Sequence, residues 1–149
     1  MSNESKEIFL SNLSQNNKNT HGGFCVLGGH FSEGVDLTND KLLGVIVIGG
    51  GMPQIGVDRD IIKKHFDSKS HNGFDYAYTY PGIIKVLQAV LRCIRTNKDK
   101  GIIMLIYHRY SQSTCKKLFT SQWYPNKIAR KSKDISSICK KIWENIKEI

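Results

Sequence analysis

Gln88, Arg92 and Arg95 are spaced i, i+4 and i+7. On a helix that spacing puts an amide and two guanidinium groups in one row. Guanidinium forks match phosphate oxygens, so one reading is a row facing a phosphate; a solvated polar face explains the same spacing. A second group lies in Gly28-Gly29-His30-Phe31-Ser32-Glu33-Gly34-Val35-Asp36. Gly29 and Gly34 have the glycine spacing of a phosphate-cradling loop, but Val35 and Asp36 stand where that loop needs lysine and a magnesium-binding hydroxyl. The chain therefore has no Walker A there, and Gly49-Gly50-Gly51-Met52-Pro53 supplies none either. Ser32 and the backbone donors around Gly29 and Gly34 could serve a phosphodiester, with Glu33 and Asp36 serving a ribose hydroxyl or a guanidinium. A glycine turn with helix-capping Ser and Asp accounts for the same residues. The five histidines show no metal-ligand spacing, and no Ser–His–Asp set or carboxylate pair stands out.

The elements that must position these groups follow from periodicity. Tyr80 to Thr96 reads as the central helix, starting near Pro81, with Ile84, Leu87, Val90, Leu91 and Ile94 as its apolar stripe. Three continuous apolar runs, Phe24 to Leu27, Leu43 to Ile48 and Ile102 to Ile106, read as buried strands, the first two closed by glycines. Alternation of such runs with helices predicts an α/β fold, a parallel sheet covered on both faces. The Gly28 turn then falls beyond a strand's carboxyl end, where open α/β sheets bind ligands, and the polar row should project from that same rim. Short helices are expected over Glu4 to Leu13, with Ile8, Phe9 and Leu13 as contacts, and over Asp58 to Phe66. The stretch SKSHNGFDYAYTY is expected to be a loop whose Tyr76, Tyr78 and Tyr80 form either an aromatic packing cluster or a base-stacking platform. A C-terminal amphipathic helix over 134–149 carries Ile135, Ile138, Cys139, Ile142, Trp143 and Ile146, and should close one face of the sheet.

A chain of 149 residues has the length of a single domain, 1–149, able to bury a real core. Its net charge of +9 is uneven: up to Ile84 there are seven Lys/Arg against nine Asp/Glu, and from Lys85 onward fifteen against four. The basic half points to a polyanion, although a solvated basic surface has the same composition. Four scattered cysteines lack the spacing of a zinc or iron–sulfur set and suit reduced thiols in the cytoplasm. No apolar run is long enough to span a bilayer, so no membrane partner is expected.

Taken together, GGHFSEGVDLTNDKLLGVIVIGGGMPQ resembles motif V and its following strand in DinG/XPD-type superfamily 2 DNA helicases. FDYAYTYPGIIKVLQAVLRCIRTNKDKGIIMLIYHRY resembles the motif VI segment of the same enzymes, and the likeness runs from about Phe24 to Trp123. The resemblance implies a RecA-like second motor domain, incomplete on its N-terminal side, with earlier strands in a longer parent chain. In that family ATP and Mg are held mainly by a first RecA-like domain, and arginines reach in from the second. Position by position, Gln88, Arg92 and Arg95 match motif VI, which makes Arg95 the candidate arginine finger. Ser32, Glu33, Gly34 and Asp36 match motif V, which couples nucleic-acid contact to the nucleotide cleft. Leu91 departs from a usual glycine, and Tyr107 from an acid. The family's cluster cysteines have no counterpart here, so no iron–sulfur cluster is expected.

The expected function is thus the second motor domain of an ATP-dependent DNA helicase, acting on single-stranded DNA with a first RecA-like domain as partner and inactive as an ATPase alone. A non-catalytic single-stranded nucleic-acid-binding module is the rival, and a small-molecule-binding α/β domain a third possibility.

Overall fold

The computed structural model describes residues 3–14, 20–29, 42–94 and 99–147. Strands β1 (Gly44–Ile48) and β2 (Ile102–Ile106) pair in parallel, Gly44 opposite Ile102 and Ile48 opposite Ile106. Their sequences, GVIVI and IIMLI, are rich in the branched side chains that suit a pleated surface. Parallel neighbours cannot be joined by a hairpin, so the intervening chain crosses over. It does so through two helices, α1 (Val57–Asp67) and α2 (Tyr80–Val90). The mixed architecture is the expected α/β class, that of a partial RecA-like domain. A separate N-terminal helix, αN (Asn3–Ser14), precedes this unit as expected. The side chain of Leu13 lies outside the described residues.

The central α-helix starts at Tyr80 with Pro81 in its first turn, as expected, but its start is not a free end: a π-helical segment, Asp75–Thr79, runs directly into α2, and the Tyr80 N–H donates to the Asp75 carbonyl five residues back. Proline inside a helix loses one backbone bond and crowds the carbonyl four residues earlier, and a widened turn relieves that crowding. The expected loop is therefore partly helical. Its tyrosines pack: Tyr76 stacks on Phe66 of α1 at 3.9 Å, Tyr80 meets Tyr76 edge-on at 5.0 Å, and Tyr78 is buried. These contacts are those of the expected aromatic packing cluster. Downstream, α2 ends at Val90, and residues 91–93 tighten into a turn in which Cys93 N–H donates to the Val90 carbonyl.

The apolar stripe is also rotated. Ile83, Val86 and Val90 are buried, while Ile84 and Leu91 are exposed. The cause is Gly82, where a Cβ would stand 2.5 Å from the Gly50 carbonyl oxygen and 3.2 Å from the Met52 nitrogen. Only glycine permits that backbone contact, and it fixes which side of α2 meets the sheet. The core there gathers Val47, Ile83, Val86, Val90, Tyr110 and Cys115.

Two further expectations give way. Phe24 to Leu27 is not a strand: Phe24 is 97% and Val26 80% exposed, and only Leu27 packs against the core. A buried strand needs a ladder neighbour, and none of the described residues supplies one to this stretch. Nor are both sheet faces covered. Helix α4 (Ser132–Lys147) lies against β2 with Ile135, Ile138, Cys139, Ile142 and Trp143 half-buried, but Ile46 and Ile48 on the same face of β1 stay exposed. The side chain of Ile146 lies outside the described residues. Between β2 and α4 the chain makes a 3-10 turn, His108–Ser111, and the short helix α3 (Ser113–Lys116).

Helix α1 is tied to the next segment through Asp67. Its carboxylate accepts from Lys63 Nζ and the Gly73 N–H, each at 2.8 Å, and Gly73 sits too close to the Lys63 carbonyl for any side chain. The lysine hydrogen bond, then the Gly73 N–H, hold the Asp67 pKa below its ordinary value. A depressed carboxylate stabilises the fold above its unfolded pKa, and that contribution is lost as pH falls through the folded value. An NMR titration should place the Asp67 midpoint below about 3.9, and Lys63→Met should raise it. Gly82→Ala should cost about 1–3 kcal/mol by overpacking a backbone contact, read as a lower urea midpoint with an unchanged slope. Tyr110→Phe should cost about 1–2 kcal/mol, because it leaves the Gly49 carbonyl without its 2.6 Å donor.

Candidate functional site

Two glycine turns meet at the carboxyl ends of the strands. The first is Gly28-Gly29, where Gly28 has φ +80° and the Gly29 N–H donates to the Val26 carbonyl at 3.0 Å. It lies against α2: a Cβ on Gly28 would stand 3.3 Å from Lys85. The second is Gly49-Gly50-Gly51, leaving β1. The Gly49 N–H donates to the Ile106 carbonyl at 3.0 Å, and the Tyr110 hydroxyl donates to the Gly49 carbonyl at 2.6 Å. Gly50 runs under the Tyr107 ring, and Gly51, with φ +62°, passes Leu27 and the Gly82 carbonyl. Burial pushes the Tyr110 hydroxyl up to about 12, so at neutral pH it stays a donor and the clasp stays closed.

Of the residues expected to do chemistry on the first turn, only Gly29 is described. Ser32, Glu33, Gly34 and Asp36 lie outside the described residues, as does Arg95. Gln88 is exposed in the last turns of α2, and Arg92 is half-buried in the turn that follows. The row therefore leaves the helix before its end. Nor does Arg92 sit on the carboxyl-end rim. Cys93, beside Arg92, donates its thiol to the Leu42 carbonyl at 3.5 Å, and a Cβ on Gly101 would stand 2.6 Å from its sulfur. Leu42 and Gly101 precede β1 and β2, so Arg92 sits at the amino ends of the strands. A helix that crosses between parallel strands runs antiparallel to them and delivers its last turn to the start of the next strand. Gly82 and Lys85 are thus at one end of the sheet, and Gln88 to Arg92 approach the other. Leu91, exposed at the end of α2, makes no close backbone approach of the kind a glycine would allow.

Beyond the expected residues, the structure brings Arg109 and Asp75 into one cavity of about 220 Å³, with Asn72, Thr79 and Gln112 also lining it. Arg109 lies 5.6 Å over the Phe74 ring and 4.0 Å from the Met52 sulfur. Asp75 is buried and accepts from Asn72 Nδ2 at 2.9 Å. Asp75 opens the π-helical segment that leads into α2. Burial raises the Cys93 and Cys115 thiols, which suits inert packing groups rather than nucleophiles. Among the described residues no group of three His, Cys, Asp or Glu is placed to hold a metal ion, and no helix is long and apolar enough to cross a membrane.

Comparison with known proteins gives this arrangement a context. Residues 1–126 match the family described as Helicase C-terminal domain, a span that takes in both the SEGVD and the QAVLRCIR segments. The chain is 34% identical over 99 residues to the ATP-dependent DNA helicase chl-1 of Caenorhabditis elegans, covering 65% of this chain and 12% of that protein. It is 30% identical over 126 residues to the Regulator of telomere elongation helicase 1 homolog of the same organism, covering 76% of this chain and again 12% of the relative. The chain thus spans a small part of the length of the relatives it matches. A family match over most of the sequence, with both helicase motifs inside it, makes this chain a member of the helicase C-terminal domain family of DinG/XPD-type superfamily 2 helicases.

Proposed function

We propose that this chain is the second RecA-like motor domain of an ATP-dependent DNA helicase, one domain over 1–149, acting in the cytoplasm on single-stranded DNA with a first RecA-like domain. Arg95 is its arginine finger, and Arg92 and Gln88 are the groups beside it. The observation that carries this reading is the family match across a motif VI row whose described members, Gln88 and Arg92, are both kept out of the core. Arg92 is half-buried in the turn at the exit of α2. Cations supplied across a cleft stabilise charge on a transferring phosphoryl group. ATP supplies that phosphoryl group. Gln88, Arg92 and Arg95 would bind and orient it from this side, while its Mg and remaining phosphate contacts belong to the first domain. Gly29, Ser32, Glu33, Gly34 and Asp36 form the loop that ties nucleic-acid contact to the cleft. Gln88 and Arg92 lie toward the end of the sheet opposite Gly28 and Gly29, which suits two ligands held on two surfaces of one rigid unit.

Exposed Leu91, in place of the family's glycine, favours a second reading, a single-strand-binding module that has lost catalysis. Joining the chain to a matching first domain and measuring DNA-stimulated ATP hydrolysis separates the two. The motor reading expects stimulation by single strands and a loss of about 10³-fold or more in Arg95→Ala. Wild-type rates in Arg95→Ala would remove Arg95 from the mechanism, and the absence of any ATPase alongside salt-sensitive strand binding would leave the module.

A further inference from the structure

Lys85 occupies a place that no motif assigns. It stands three residues before Gln88 and seven before Arg92, so on α2 it continues their row toward the carboxyl ends of the strands. Its stem lies along the first glycine turn: a Cβ on Gly28 would be 3.3 Å from both Cδ and Nζ, and 3.4 Å from Cε. The second turn closes from the other side, where a Cβ on Gly51 would be 3.6 Å from the Lys85 Cβ. Both glycines have positive φ, so neither can readily be replaced by a residue that would push the lysine away. Lys85 is half-buried, and among the described residues its ammonium has no hydrogen-bond or ion-pair partner.

Ordering a lysine stem costs side-chain entropy, and an ammonium held against the Gly28 turn, with no carboxylate paired to it among the described residues, is a cation set out for an external anion. The other cation of this rim, Arg109, is already engaged with Phe74 and Met52 on the far side of the second turn. The acidic groups described nearby do not compete: Asp75 is turned into its own cavity with Asn72, and Asp67 is paired with Lys63.

We propose that Lys85 is a phosphate-binding residue for single-stranded nucleic acid, gripping one backbone phosphate at the Gly28-Gly29 turn. The proposal rests on the motor-domain reading above and deepens it. The row along α2 then has a nucleic-acid end at Lys85 and a nucleotide-side end at Arg92, joined by one helix.

The test uses the full chain and a fluorescein-labelled oligothymidylate, with affinity measured by anisotropy across a range of salt. Lys85→Gln is compared with Lys85→Arg and with Lys140→Gln on the exposed side of α4. Lys85→Gln should weaken binding roughly tenfold and reduce the slope of log affinity against log salt by about 0.7, the value for one phosphate on a single strand. Lys85→Arg should restore both, and Lys140→Gln should change neither. Thermal melts of the variants should match the wild type, because among the described residues Lys85 has no hydrogen-bond or ion-pair partner to lose. Salt-sensitive binding with an unchanged slope in Lys85→Gln, or an equal loss in Lys140→Gln, would overturn the assignment of Lys85 alone. Absence of salt-sensitive binding by the wild-type chain would instead overturn the nucleic-acid reading on which it rests.

Discussion

Everything in this unit depends on two backbones touching. Where Gly50 crosses Gly82 there is no room for a methyl group, and that contact sets both the rotation and the height of the central helix against the sheet. From the rotation follows the buried stripe of Ile83, Val86 and Val90. From the height follows the position of Lys85 between the two glycine turns. The Tyr110 hydroxyl and the Gly49 N–H hold the turn in place from the β2 side, so the contact is fixed by hydrogen bonds as well as by shape. A close-packed backbone contact is unforgiving, since it cannot be eased by changing a rotamer.

The same helix explains how a small unit can present two separate polar surfaces. A crossover between parallel strands must bring the chain from the carboxyl end of one strand to the amino end of the next. A row of polar residues along such a helix therefore joins the two ends of the sheet. Lys85 lies by the glycine turns, Gln88 lies along the helix, and Arg92 lies near Leu42 and Gly101. Under the proposed motor reading, this one stiff rod would carry a group for strand contact and a group for the nucleotide side.

Much of this was legible in the sequence. The runs GVIVI and IIMLI became strands because branched apolar stretches suit a pleated surface and each has the other to pair with. The amphipathic pattern of the C-terminal segment gave α4. The class of fold and the family were readable from motif residues whose order and spacing are rarely met by chance. What was not legible has physical causes. Pro81 marks the first turn of α2 because its φ suits one, but the sequence does not show that a π-helical turn runs into that start. The stripe could not be centred by periodicity, because one glycine contact, and not the sum of apolar positions, chose the facing side. Phe24 to Leu27 looked like a strand from composition alone, yet pairing is a tertiary fact. Arg92 lies at the amino ends of the strands and not on the expected carboxyl-end rim, because the spacing of a row does not show the direction in which its helix crosses the sheet. Lys85 carries no sequence signal because a single lysine has no motif, and its place is set by the turns beside it.

The π-helical segment has a consequence for how one continuous helix serves two neighbours. Each residue added to a helical repeat turns the following side chains by about 100° around the axis. Within the segment, Tyr76 is directed at Phe66; after it, the aliphatic side of the helix is directed at Val47. A uniform helix would have to compromise between these directions, whereas a local change of pitch acts as a phase adjuster and lets each half keep its own partner.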